Sequence, residues 1–258
     1  MSRIEITFKR LKKEGKKAFI PYIMAGDPSL EKTKDIVHLF EECGADIVEL
    51  GVPFSDPLAD GPTIQRASER ALKIGVTLRK VISLVKESRQ IIQMPIVLMT
   101  YYNPVFKYGE KNFVEDARDA GVDGVIIPDL PPDEAEKFVK LSRKAALDTI
   151  FLLAPTSTED RIKKVTKVSS GFIYYVSITG ITGADLLLDG SMEVLIAEIK
   201  KYTDKPIAVG FGVSIPQEAS AVARVSDGVI VGSAIVKRLY ESPDGLKDYL
   251  ISLREAIK

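Results

Sequence analysis

Short runs of nearly continuous apolar residues alternate with longer amphipathic stretches along the whole chain. The runs occupy 18–24 (AFIPYIM), 45–50 (ADIVEL), 95–100 (PIVLMT), 123–128 (DGVIIP), 148–154 (DTIFLLA), 171–177 (GFIYYVS), 206–211 (PIAVGF) and 227–232 (DGVIVG). A strand covered on both faces has no polar side, so such runs are expected of a parallel sheet sandwiched by helices. Between them, apolar residues recur at helical spacing, predicting helices over 30–43, 78–91, 133–144, 159–168, 192–201 and 216–223. Eight such units predict a closed (β/α)8 TIM barrel, a single domain over residues 1–258, with an extra amphipathic helix at 1–11. An open doubly wound sheet is the alternative, but the first turn lacks the Gly-rich GxGxxG pattern that such a sheet uses for dinucleotides.

Charge narrows the partners. Thirty-six Lys and Arg balance thirty-six Asp and Glu, and both signs are interspersed rather than blocked. Neither nucleic acid nor an anionic membrane is expected as a partner. No apolar run approaches the roughly 20 residues of a membrane span, and a cytoplasmic location is expected. With one cysteine, Cys43, and one histidine, His38, the chain offers no internal disulfide and no His/Cys metal-ligand spacing. His38 falls on a predicted outer helix, as a surface or packing residue.

The least ordinary segment follows the second run. Glu49 interrupts an apolar strand, where an inward carboxylate is costly unless it is paired, protonated or catalytic. The bland alternative points it outward to a lysine on a covering helix. Asp60 ends a loop shaped by Pro53, Pro57, Gly61 and Pro62, either presenting a carboxylate to a site or capping a helix over 63–73. Asp56 reads as a turn residue.

In barrels the loops at the C-terminal strand ends carry the chemistry, commonly with phosphate bound near the last strands. There the chain places 210–214 (GFGVS) and 231–235 (VGSAI), two Gly-rich turns whose backbone can approach an oxyanion. Ordinary β/α turns are the alternative. The segment 179–190 (TGITGADLLLDG) adds Gly183 and three loop leucines that call for a lid contact, a partner surface or a short helix.

These segments, together with AFIPYIMAGDP (18–28), YYNP (101–104), PDLP (128–131) and GITG (180–183), resemble the alpha subunit of tryptophan synthase along almost the whole chain. The resemblance implies retro-aldol cleavage of indole-3-glycerol phosphate to indole and glyceraldehyde 3-phosphate. It implies Glu49 as the acid–base group at indole C3, Asp60 as the partner of the indole N–H, and Tyr174 as an active-site tyrosine, with Tyr175 beside it as the register alternative. Phosphate falls to Gly183, Phe211, Gly212, Gly232 and Ser233; Tyr22, Ile64, Met99 and Ile126 are candidates for the indole wall or, equally, for barrel core. The resemblance also implies a beta subunit as partner in an alpha2beta2 heterotetramer, docked near 53–57 and 182–190. Pyridoxal phosphate belongs to that subunit, and no cofactor is expected in this chain. Tyr22 and Asp185 depart from the family's usual phenylalanine and arginine. A stand-alone lyase, another sugar-phosphate barrel enzyme and a catalytically silent regulatory subunit remain alternatives.

Overall fold

The computed structural model describes residues 1–176, 190–210 and 212–258. Its strands are β1 (Ala18–Met24), β2 (Val48–Gly51), β3 (Ile96–Met99), β4 (Gly124–Ile126), β5 (Asp148–Ile150), β6 (Leu152–Leu153), β7 (Ile173–Val176), β8 (Ile207–Gly210) and β9 (Gly228–Val231). The helices among the described residues are α1 (Arg3–Lys13), α2 (Leu30–Glu42), α3 (Pro62–Lys73), α4 (Leu78–Ser88), α5 (Tyr102–Tyr108), α6 (Glu110–Asp119), α7 (Glu136–Lys144), α8 (Glu159–Val168), α9 (Ser191–Lys200), α10 (Pro216–Val225), α11 (Ser233–Glu241) and α12 (Leu246–Ala256).

All strand pairs are parallel, in the order β5-β4-β3-β2-β1-β9-β8-β7-β6. The fifth apolar run, expected as one strand, is two: β5 pairs with β4, β6 pairs with β7, and only Phe151 separates them. The two ends of the sheet are therefore halves of one strand, and the Phe151 carbonyl accepts a hydrogen bond from the Tyr174 amide (3.1 Å). This seam closes the wall into the expected barrel.

The near-continuous apolar runs have a direct cause, since alternate side chains serve two cores. Phe19, Ile23, Val48, Leu50, Leu98, Val125, Tyr175, Val209 and Val229 point outward under the helices. Ile20, Ile47, Val97, Ile126, Ile150, Ala208 and Ile230 point inward, where Ile4, Phe8 and Leu11 of α1 close the N-terminal end. Gly124 leaves room for this plug: a Cβ there would stand 3.1 Å from Ile4 Cδ1. Helix α1 begins later than expected because Ser2 and Glu5 form a capping box.

At the same N-terminal end, three aspartates tie neighbouring strands together. Asp46 accepts from the Phe19 amide (3.1 Å), Asp123 from Ile96 (2.9 Å) and Asp227 from Ile207 (2.9 Å). Arg10 and Arg254 pair with Asp46, and Arg3 and Arg89 with Asp123. This end is built for cohesion. No described helix is long and apolar enough to cross a membrane.

Candidate active site

A cavity of about 590 Å³ opens at the C-terminal ends of the strands. Glu49 and Tyr22 are register partners on β2 and β1, so both project inward at one level, and both line the cavity. Glu49 is 1% exposed, and neither carboxyl oxygen has a hydrogen-bond partner among the described residues. The outward alternative is thereby removed. Burial, with the Asp60 carboxylate adding to it, pushes the Glu49 carboxyl up to about 8.

Asp60 reaches the same cavity because its loop is held at several points. Phe54 donates its amide to Ser68 Oγ (2.9 Å) and stacks on Tyr101, with ring centroids 5.2 Å apart; the Ala59 amide donates to the Tyr101 hydroxyl (3.0 Å). Pro62 takes the first position of α3 and Gly61 becomes its cap without a side-chain bond, so Asp60 is not the helix cap. Half-buried, Asp60 is raised by desolvation to about 6, against a hydrogen bond with Tyr101 that favours its charged form. Asp56 stays exposed, bonded to Ser55.

Tyr174 points into the cavity from β7, while Tyr175 turns to the outer core. Each cavity tyrosine leans across a glycine of the next strand. A Cβ on Gly51 would stand 2.7 Å from Tyr22 Cζ, and one on Gly210 2.8 Å from Tyr174 Cζ, so both rings depend on a missing side chain. Burial first, then the negative field of Glu49 and Asp60, holds both phenols well above their ordinary range. They remain protonated donors at neutral pH.

The two Gly-rich turns differ in one respect that the sequence conceals. Glu218 folds back on the start of α10 and accepts from the Ser214 amide (2.7 Å), the Ser214 hydroxyl (3.0 Å) and the Ile215 amide (3.3 Å). The start of α11, at Gly232 and Ser233, has no side-chain cap and opens on the cavity. An incoming anion thus meets an uncapped start at α11, whereas before α10 the Ser214 and Ile215 amides are already taken by Glu218. Gly212, with φ 74°, also lines the cavity.

Of the indole-wall candidates, Tyr22, Ile64 and Met99 line the cavity; Ile126 lies in the inner apolar cluster and is not among the lining residues. Gly183, Phe211, Asp185 and the three loop leucines lie outside the described residues. His38 is half-exposed on α2, 3.3 Å from Glu42. Sequence reasoning passed over Tyr101 as a site residue, and also Leu152, Ser157, Arg161 and Lys237, which line the cavity. Only Tyr101 carried a signal, as the residue just beyond β3 at the mouth end.

Fold and mouth together define the class: a TIM barrel with a ligand-sized cavity holding two carboxylates where its strands end. The chain belongs to the tryptophan synthase alpha chain family, whose model matches residues 8–258. It is 52% identical over 259 residues to the tryptophan synthase alpha chain of Geotalea uraniireducens, covering 100% of this chain and 97% of that protein. It is 51% identical to that of Geobacter sulfurreducens, covering 100% and 99%. Among solved structures, the alpha subunit of Legionella pneumophila superposes with a TM-score of 0.92 at 38% identity, covering 100% of this chain and 98% of that one. A chain of Mycobacterium tuberculosis tryptophan synthase, in an aminoacrylate-bound form, gives 0.91 at 37%, with full coverage of both.

Proposed function

We propose that this chain, as a lyase, cleaves indole-3-glycerol phosphate by a retro-aldol step into indole and glyceraldehyde 3-phosphate. The observation that carries the reading is the separation of two carboxyls around one cavity, Glu49 at about 8 and Asp60 at about 6. Near pH 7 the first is mostly protonated and the second mostly ionised, which divides acid from anion without any change of residue type.

Glu49 protonates C3 of the indole ring, making that carbon tetrahedral and leaving positive charge on the ring nitrogen. Asp60 accepts the indole N–H, and its negative charge stabilises the tautomer more than the neutral substrate. The Glu49 carboxylate then takes the proton of the adjacent glycerol hydroxyl as the C–C bond breaks, its electron pair returning to the ring. Indole leaves with the first proton on C3, the aldehyde leaves, and Glu49 is again protonated, now by the proton taken from the hydroxyl. Tyr174, held protonated, is a donor beside this exchange rather than its base. Phosphate is held at the open start of α11 by Gly232 and Ser233, with Gly212 giving close approach and Gly183 and Phe211 assigned by the resemblance alone. Tyr22, Ile64 and Met99 wall the indole. Glu49 carries both protons and Asp60 supplies only charge, so the reaction calls on no cofactor in this chain.

The working unit we propose is a single-domain cytoplasmic barrel docked on a beta subunit, whose pyridoxal phosphate serves the step that consumes indole. Two exposed apolar side chains beside the mouth support a docking face there: Leu58, 94% exposed, and Phe106 on α5, 66% exposed. The deciding experiment measures indole release from indole-3-glycerol phosphate by the wild type, Glu49→Gln and Asp60→Asn. Release by the wild type and loss of at least about a hundredfold in Glu49→Gln are expected. Undiminished Glu49→Gln activity overturns the assignment, and a wild type silent even with a beta subunit overturns the reaction.

A further inference from the structure

We infer that Lys237 is a substrate-binding residue for the phosphate, acting as a mobile counter-charge behind the start of α11. The inference rests on the phosphate reading above and deepens it. A phosphate monoester brings a charge of about −1.5 to −2 at neutral pH. The helix start answers with roughly half a unit of positive charge, and Asp60 adds a negative charge to the same cavity. Backbone amides alone leave the bound dianion under-compensated.

Among the described residues, two cationic side chains line the cavity, Arg161 and Lys237. Arg161 sits in the first turn of α8, after β6, and β6 is three strand positions from β9 in the wall. At about 4.8 Å per strand that is about 14 Å around the wall from the turn that opens α11. Lys237 is placed differently. It lies four residues after Ser233 on α11, hence on the same helix face one turn further along. Lys237 lines the cavity, and because side chains on a helix lean toward its N-terminus its stem can swing back along α11 toward Gly232 and Ser233 when it leaves Glu241.

Its present partner does not hold it. The only ion pair Lys237 makes among the described residues is with Glu241, at 3.9 Å, with both side chains more than half exposed. Such a pair is weak in water and is readily exchanged for a dianion at a helix start. The arrangement gives phosphate two kinds of recognition. Fixed amides read its shape, and a flexible ammonium matches its charge.

The test uses the full-length chain, with inorganic phosphate and glycerol 3-phosphate as competitive inhibitors of cleavage, and phosphate binding read separately by 31P NMR. Lys237→Met is expected to weaken both anions by about fivefold and to raise KM for indole-3-glycerol phosphate similarly, with kcat within about twofold. Indole, which has no charge, should bind unchanged. Lys237→Arg should restore most of the anion binding, and Glu241→Gln, which breaks the helix pair but leaves the ammonium, should leave it intact. Equal phosphate binding by wild type and Lys237→Met overturns the inference while leaving the proposed cleavage standing. Weakening by Glu241→Gln as large as that of Lys237→Met assigns the effect to helix integrity and also overturns it. Absence of any phosphate binding in the wild type removes the inference together with the phosphate reading.

Discussion

Glu49 is a residue that the fold would be more stable without. Its carboxyl titrates at about 8 in the folded chain against an ordinary 4.5, so the native state holds a proton that the unfolded chain releases between those values. Stability contributed at this position is therefore intact at low pH and is lost as pH rises through that window. Glu49→Gln, neutral at every pH, should match the wild type near pH 4.5 and exceed it increasingly above, by about 4 kcal/mol at pH 9. Chemical denaturation at both pH values reads this directly, and a pH-independent difference would refute it. On the proposed mechanism the same two carboxyls also set the activity profile. The kcat/KM for cleavage should rise through about 6 as Asp60 ionises and fall through about 8 as Glu49 loses its proton. Asp60→Asn should abolish the acid limb on whatever rate remains. Glu49 was visible in the sequence as an acid in an apolar run. Its solitude was not, because it depends on Tyr22, Tyr174 and the glycines opposite them, which converge only once the barrel closes.

At the scale of elements, strands were the readable part because each run feeds two cores at once and leaves almost no polar position. Helix ends were harder to read. Pro62 moves the cap of α3 to Gly61 and frees Asp60, and Glu218 closes the start of α10 with its own side chain. Both are local hydrogen-bond choices made among several candidates that composition cannot rank. The split of the fifth run was hidden for a different reason, since its two halves pair with strands on opposite sides of the seam. Helix α1 gives a direct test of what closes the barrel's far end. Phe8 is buried against Phe172, with ring centroids 5.8 Å apart. Phe8→Ala should cost about 3–5 kcal/mol and Ser2→Ala, which removes only the cap, about 1 kcal/mol. Equal losses in urea titrations would show that α1 is not a plug but a loosely applied cover.

For the whole molecule, the exposed apolar side chains of Leu58 and Phe106 beside the mouth make the proposed partner face testable. Docking of a beta subunit is expected to speed cleavage; Phe106 stands on α5, outside the cavity lining, so Phe106→Asp should leave the isolated chain's rate unchanged while reducing that expected activation. A titration of activity against beta subunit separates the two effects; unchanged activation would move the docking face elsewhere. The sequence pointed to this face through the loops at 53–57 and 182–190, the second lying almost wholly outside the described residues, and not through Phe106, because an exposed phenylalanine and a buried one are written alike.

The three aspartates that tie β2, β4 and β9 to their neighbours stand at the end of the barrel opposite the cavity. Their placement makes the protein modular in an engineering sense. A library that varies Ile64, Met99 or Ser157 to admit other aromatic leaving groups draws on stability that is stored a strand's length away. Variants should then be lost for want of chemistry far more often than for want of a fold, which is the condition under which directed evolution of a new specificity moves quickly.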